Sequence, residues 1–148
     1  MNVAALALSA AGLIGIIGYE GYSERAYIPV PGDVPTIGFG TTENVIMGQT
    51  ITPTTALRRA VSDISKKESA IKRCVKVPLF QHEYDAYTSL AYNIGEGAFC
   101  KSTLVAKLNL GDYSGACAEI SRWNKVKGRV VTGLTNRRAE ERKTCEGK

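Results

Sequence analysis

The sequence predicts an α+β fold in which a small N-terminal β-sheet is followed by a larger set of helices. Residues 3–19 form an uncharged run of helical length. Residues 27–47 combine β-branched residues with glycine and proline, a composition that favours short strands and turns. From residue 52 onward, apolar residues recur at helical spacing. The 148 residues suffice for one domain that buries roughly two thirds of its surface.

The N-terminal run, Val3 to Tyr19, has two interpretations. As a first helix, it would pack Leu13, Ile16 and Ile17 into the core. Its seventeen residues also reach the short limit for spanning a bilayer, at a rise of ~1.5 Å per residue. Because alanine, glycine and serine make up much of the run, we expect it to partition only weakly into lipid. It has neither a preceding basic region nor a clear cleavage site, so it does not match an ordinary signal peptide.

The stretch from Tyr19 to Thr42 carries the chemistry that the sequence predicts. Glu20 follows the apolar run directly. Asp33 lies in a connector whose prolines and glycine exclude helix, and Thr36 opens a β-branched segment rich in small residues. Two carboxyl groups that flank a bond, one protonated and one ionised, are what glycoside hydrolysis requires. The stretch therefore predicts a glycosidase site.

Caps and periodicity predict the helices that follow. Thr52 caps a helix that starts at Pro53 and runs to Cys74. Ser102 and Asp112 cap two later helices. Apolar residues at helical spacing are expected to face the core: Leu57, Ala60, Val61, Ile64, Ile71, Tyr84, Tyr87, Leu90, Ala91, Ile94, Ala116, Ile120 and Trp123.

Charge gives a weaker indication of the partner. The net charge of +5 favours a nucleic acid, a membrane surface or the bacterial envelope, although solubility alone would account for it. The basic residues are scattered and no nucleic-acid-binding motif accompanies them, so we expect no nucleic acid partner. Residues 125–133 predict a basic loop. Residues 135–145 predict a helix whose arginines could contact the anionic envelope, although a solvent-facing role is the commoner outcome.

The four cysteines argue against a metal site and for disulfides. They contain no close CxxC pair, and His82 is the one histidine, so we expect no metal ion. An even count fits two disulfides in an oxidising compartment, although three pairings, or four free thiols, are compatible with spacing alone. We favour Cys74–Cys100, across one helix-loop unit, and Cys117–Cys145, between the last helices. Each bond would add roughly 3–4 kcal/mol by restricting the unfolded chain.

The central stretch resembles the active-site segment of phage-type lysozymes, the endolysins of glycoside hydrolase family twenty-four. The family reads helix, Glu-Gly, Ala-Tyr, a turn with Asp, then Pro-Thr-Ile-Gly-aromatic-Gly. Matching blocks cover nearly the whole chain from about residue 10: Glu20-Gly21, Ala26-Tyr27, Pro35 to Gly40, Gln81 to Ala86, Tyr92 to Gly95, Ser102 to Leu104, Arg122-Trp123 and Gly133 to Arg142. One position departs. Where the family has its aspartate, this chain has Pro29, and Asp33 is interpreted as the replacement acid.

The resemblance implies the architecture and the substrate. It implies one lysozyme domain over residues 1–148, with a catalytic β lobe (20–51), a connecting helix (52–74) and a helical lobe (75–148). The implied activity is hydrolysis of the β-1,4 bond between N-acetylmuramic acid and N-acetylglucosamine in peptidoglycan, without a cofactor and by a monomer. Residues implied to contact the glycan are Gly38, Phe39, Thr42, Tyr92, Asn93 and Ser102.

The resemblance also implies the catalytic roles. Glu20 would be the general acid, and its apolar flank of Ile16, Ile17 and Tyr19 would favour the neutral carboxyl. Asp33 would stay ionised and orient a water molecule that the hydroxyl of Thr36 holds. Two alternatives stay open. A lytic transglycosylase would cleave the same bond without water, and a wall-binding module would keep the fold without catalysis.

The N-terminal run resembles the signal-arrest-release segment of some endolysins. Such a segment takes the enzyme through the secretion machinery, tethers it to the inner membrane and later leaves the bilayer. The expected location is therefore the host periplasm or cell wall, with a tethered stage first. While the run is in lipid, Glu20 would be held out of its cleft and the enzyme would be inactive.

Overall fold

The computed structural model describes all residues from Met1 to Lys148. Seven α-helices, two two-stranded sheets and two short 3-10 turns (Val3–Ala5 and Ile120–Arg122) give an α+β fold, which confirms the predicted class. In chain order the helices and strands are α1 (Ala10–Glu20), β1 (Ser23–Tyr27), β2 (Thr36–Gly38), α2 (Pro53–Cys74), α3 (Gln81–Ile94), α4 (Glu96–Cys100), α5 (Thr103–Asn109), α6 (Tyr113–Glu119), β3 (Lys125–Val126), β4 (Arg129–Val130) and α7 (Thr132–Cys145).

The chain divides into two compact units. One unit comprises Ile14–Lys66, and the other comprises Met1–Leu13 with Lys67–Lys148. No helix is both long and apolar enough to cross a membrane.

The N-terminal run is not one continuous helix. A 3-10 turn over Val3–Ala5 is followed by non-helical backbone, and α1 begins only at Ala10. The carboxylate of Asp85 on α3 accepts hydrogen bonds from both the backbone N–H and the hydroxyl of Ser9, and that hydroxyl in turn caps the N–H of Gly12. These contacts come from a distant part of the chain, and they fix a helix start that periodicity does not predict.

Residues before α1 are held by further partners in the same unit. Val3 and Leu6 are buried in the core. The N–H of Leu8 donates to Oε1 of Glu68 at 2.7 Å, and the amide of Gln81 donates to the carbonyl of Ala7 at 2.8 Å. The segment therefore forms part of the folded helical unit.

The β unit contains an antiparallel pair, β1 and β2. Ser23 pairs with Gly38 and Tyr27 pairs with Thr36, with an irregularity in register between them. The sheet thus starts four residues before the predicted Tyr27 and its second strand ends at Gly38. A small core of Ala26, Ile37 and Val45 lies beneath it.

The inner face of α2 differs from the predicted stripe. Ala60, Ile64 and Ile71 are buried as expected, but Leu57 and Val61 are exposed. Ala56, rather than Leu57, packs against the sheet, where a Cβ at Gly38 would lie only 2.9 Å from the Cβ of Ala56. The contact requires small residues on both sides. The predicted cap is present, since the hydroxyl of Thr52 accepts the N–H of Thr55.

The helical unit surrounds the middle of α3. Tyr84, Tyr87, Leu90 and Ala91 are buried, as the periodicity predicts, while Ile94 is partly buried. Burial raises the pKa of the phenols of Tyr84 and Tyr87 well above their ordinary value. The side chains of Ser102 and Asp112 cap α5 and α6, and Trp123 packs against the core.

The C-terminal part of the chain corrects two expectations. The predicted basic loop over residues 125–133 contains the hairpin β3–β4. The predicted solvent-facing arginines include Arg137 and Arg138, which are buried. Their guanidinium groups contact the carboxylate of Glu141, whose Oε1 also accepts the hydroxyl of Ser89 on α3 at 2.7 Å. Burial is possible because this carboxylate and neighbouring polar groups replace water.

Both favoured disulfides are present. Cys74–Cys100 joins the end of α2 to α4, and Cys117–Cys145 joins α6 to the end of α7. No cysteine is free.

Candidate active site

Glu20 is the last residue of α1 and is half-buried. Of its expected apolar flank, Ile16 is buried, Ile17 is partly buried and Tyr19 is 41% exposed. The carboxylate lies directly against Gly40, because a Cβ at that position would come within 2.8 Å of Oε2 of Glu20. The acid is therefore in contact with the turn that follows β2.

This turn is held by backbone and side-chain hydrogen bonds. Ile37 and Thr41 exchange backbone hydrogen bonds of 2.9 and 3.0 Å. The hydroxyl of Thr41, which is buried, donates to Oδ2 of Asp63 on α2 at 2.8 Å. Gly40 has φ +84°, which favours glycine, and it also has no side chain to displace the carboxylate of Glu20. The turn thus fixes one side of the acid.

Four further predicted residues lie on β2 and its turn. Thr36 is buried, and its hydroxyl donates to the carbonyl of Val34 over a long 3.4 Å. The ring of Phe39 packs against that of Tyr22, with centroids 5.4 Å apart. Thr42 is exposed. Gly38 is buried, and its contact with Ala56 gives it a packing role besides any approach of a ligand.

Asp33 lies in the exposed turn between β1 and β2. Its backbone N–H donates to the carbonyl of Val30 at 2.9 Å, which closes the turn. Its carboxylate is exposed and makes no hydrogen bond or ion pair. This carboxylate is therefore available to a water molecule or a ligand.

The helical unit carries the other predicted glycan contacts. Tyr92 is half-buried and Asn93 is exposed, both in the last turn of α3. Oδ1 of Asn93 accepts a hydrogen bond from Nη2 of the buried Arg138 at 2.9 Å. The hydroxyl of Ser102 accepts the N–H of Val105 and donates to the carbonyl of Phe99. Ser102 thus serves first as a helix cap.

Sequence reasoning missed three residues around these positions: Gly40 as the neighbour of the acid, Asp63 as the anchor of its turn, and Arg138 as the partner of Asn93. The spacing of Arg138 and Glu141, three residues apart on a helix, is a signal that predicts their pairing but not their burial. No group of three or more His, Cys, Asp or Glu side chains is arranged to hold a metal ion.

Known proteins resemble the chain over most of its length. The phage lysozyme family matches residues 17–141. The endolysin of Acyrthosiphon pisum secondary endosymbiont phage 1 is 42% identical, over 94% of this chain and 97% of its own. The SAR-endolysin of Pseudomonas phage phiKMV is 37% identical, over 92% and 86%. The solved endolysin from Escherichia coli O157:H7 phage FAHEc1 superposes with a TM-score of 0.84 at 36% identity, over 95% and 94% of the two chains. The chain belongs to the phage lysozyme family.

Proposed function

We propose that Glu20 and Asp33 are the two carboxyl groups with which this chain hydrolyses peptidoglycan. As a phage lysozyme it is a muramidase, a glycoside hydrolase that cleaves the β-1,4 bond between N-acetylmuramic acid and N-acetylglucosamine and so lyses the host cell. The observation that carries the assignment of roles is the contact between the carboxylate of Glu20 and the glycine turn after β2.

Glu20 is suited to the role of general acid by its position. It ends a helix, next to buried Ile16 one turn earlier, and Gly40 packs against its carboxylate. A general acid gives its proton to the leaving sugar oxygen and must therefore be held within hydrogen-bond reach of it. The fixed turn then limits the positions that the proton donor can occupy.

Asp33 is proposed to act as the base that activates water. Its carboxylate is exposed and not engaged by any protein group, as a base that binds water requires. In an inverting reaction the water lies between acid and base, whose carboxyl groups are then ~6.5–9.5 Å apart. Thr36 follows three residues later, and its weakly bonded hydroxyl is proposed to hold that water. The residues proposed to contact the glycan are Gly38, Phe39, Thr42, Tyr92, Asn93 and Ser102.

A turbidity assay on outer-membrane-permeabilised cells tests these roles. Replacing Glu20→Gln keeps the size of the side chain but removes the proton donor, and general acid catalysis typically contributes roughly 100- to 10,000-fold. We expect a loss in that range with an unchanged melting temperature. Asp33→Asn is expected to lose activity strongly if Asp33 is the base. Near-native rates in either variant would remove that residue from its role.

The products distinguish hydrolysis from transglycosylation. Hydrolysis with Asp33 as base places a reducing end on every cleaved glycan, whereas a lytic transglycosylase leaves anhydro-muramic ends. Mass spectrometry of the released muropeptides is expected to find reducing ends. Anhydro ends would contradict the role proposed for Asp33, because that reaction needs only the acid.

We also propose that the enzyme, a monomer, is exported and tethered at the inner membrane before release. Residues 3–19 carry no charge, Ile14 on α1 is 71% exposed in the folded form, and SAR-endolysins are among the relatives. The two disulfides fit an oxidising compartment. Fractionation soon after induction is expected to find part of the full-length protein in membranes. Recovery only in the soluble fraction would contradict the tether.

A further inference from the structure

The excess positive charge of the chain is concentrated in one stretch. Six of the 19 basic residues, and none of the 14 acidic ones, lie in residues 120–139. The rest of the chain holds thirteen basic and fourteen acidic residues and is nearly neutral. Two of the six, Arg137 and Arg138, are buried beside Glu141. The exposed excess is therefore located on and beside the β3–β4 hairpin.

The hairpin gives these charges a defined arrangement. Lys125 pairs with Val130, and Val126 pairs with Arg129, in antiparallel register. Lys127 and Gly128, with φ +49° and +79°, form a two-residue turn of the kind that matches the twist of a hairpin. The backbone N–H of Val131 donates to the carbonyl of Asn124 at 2.9 Å and closes the base.

The three hairpin cations lie close together and have no acidic partner. Elsewhere in the chain, Lys66, Lys67, Lys107, Arg122, Arg142 and Lys148 each pair with a glutamate. The side chains of Lys125, Lys127 and Arg129 make no hydrogen bond or ion pair, and all three are exposed. Three unneutralised charges within five residues favour binding of an anion-rich surface.

Apolar side chains are exposed between these charges. Val126, Val130 and Val131 are 46%, 62% and 38% exposed. Cross-strand partners share a face, so each face of the hairpin carries one cation and one valine. We propose that this hairpin enters an anionic lipid interface turn first, with Lys125, Lys127 and Arg129 on the headgroups and the valines of both faces in contact with the acyl boundary.

The valines favour lipid over a charged polymer. A soluble polyanion, or a phosphate-bearing wall polymer, offers charge to the three cations but no apolar phase for the valines. A bilayer interface offers both, and binding strength there scales with apolar area as well as with attraction to anionic lipids. None of the hairpin residues has a catalytic role above, so the lipid-binding proposal does not depend on those roles.

Vesicle sedimentation tests the inference on the full chain. Vesicles of phosphatidylethanolamine with phosphatidylglycerol are compared with vesicles of phosphatidylcholine alone. The hairpin variant carries Lys125→Gln, Lys127→Gln and Arg129→Gln. A matched control removes the same charge from exposed residues elsewhere, with Arg25→Gln, Arg58→Gln and Lys143→Gln. Melting temperatures establish that both variants are folded.

We expect the wild type to bind only the anionic vesicles. Each basic residue near an anionic surface strengthens binding about fivefold, so the hairpin variant is expected to bind about 100-fold more weakly. The control variant is expected to bind nearly as well as the wild type. Equal losses in the two variants would mean that only net charge matters, and an unchanged hairpin variant would mean that the hairpin is not the contact. Either result overturns the proposal.

A third variant separates lipid from polymer. Val126→Ser with Val130→Ser keeps every charge, and it is expected to weaken binding to anionic vesicles while leaving binding to heparin, a lipid-free polyanion, unchanged. If it binds vesicles as the wild type does, the hairpin recognises charge alone and the assignment to lipid is wrong. Because vesicles contain no peptidoglycan, a failure here leaves the muramidase assay unaffected.

Discussion

Replacing Gly40 by alanine tests the position of Glu20, the proposed catalytic acid, most directly. The new Cβ would lie 2.8 Å from Oε2 of Glu20 and 3.4 Å from its Cδ. To reach an ordinary contact of about 3.5 Å, the oxygen must move by roughly 0.7 Å. Since a 1 Å misplacement of a reacting group can cost ~100-fold, we expect cell-wall lysis to fall roughly 10- to 100-fold.

The same substitution also strains the backbone. Gly40 has φ +84°, and an alanine there costs about 1–2 kcal/mol in the left-handed region. Gly48 provides the control, because its φ is +93° and nothing lies within 4 Å of a Cβ at that position. Gly48→Ala should therefore show a similar loss of stability without moving the carboxylate.

The two variants are compared in the turbidity assay and by thermal unfolding. We expect similar melting temperatures but much lower activity for Gly40→Ala alone. Equal activities would refute the reasoning, since the carboxylate would then tolerate displacement or occupy another position during catalysis. A loss of activity explained entirely by unfolded protein would refute it as well.

Three further predictions concern stability. Glu141→Gln removes the carboxylate between two buried arginines. We expect the free energy of unfolding, measured in urea, to fall by about 3–5 kcal/mol. A fall of less than about 1 kcal/mol would mean that other groups compensate for the carboxylate. Gly38→Ala places a Cβ within 2.9 Å of the Cβ of Ala56. We expect this contact to destabilise the fold by about 1–3 kcal/mol. A free energy of unfolding equal to that of the wild type would contradict this prediction. A hydrogen bond from Lys107 lowers the pKa of Glu119. The pair therefore stabilises the fold, by less than about 1 kcal/mol, at pH values where a glutamate in the unfolded chain is ionised. This contribution is lost as the pH falls through the lowered pKa of the folded state. Comparing Glu119→Gln with wild type by melting between about pH 3 and pH 7 should show the difference disappear at the acid end, and a difference independent of pH would exclude this pair as its source.

Local signals in the sequence were sufficient for several elements. Thr52, Ser102 and Asp112 cap the helices they were predicted to cap, since a cap depends on residues three positions away. The buried positions of α3 follow directly from the 3.6-residue period, including Tyr84 and Tyr87. Both disulfides also join the cysteines that element order favours.

Features that depend on distant partners were not predictable. The start of α1 is set by Asp85, which is 76 residues from Ser9. The burial of Arg137 depends on α3, where the carbonyl of Ser89 accepts from it at 3.4 Å. A glycine pattern indicates left-handed backbone at Gly40 but gives no information about which side chain it faces. In each case the missing quantity is a tertiary contact rather than a local preference.

The position of Glu20 at the end of α1 has a consequence for synthesis. Glu20 lies at one end of this helix, and the groups that fasten its other end, Asp85 and Gln81, belong to α3. A ribosome that has translated only the first half of the message has therefore produced the proposed proton donor but not the residues that secure its helix. An interrupted translation product should consequently be harmless to the bacterium that makes it.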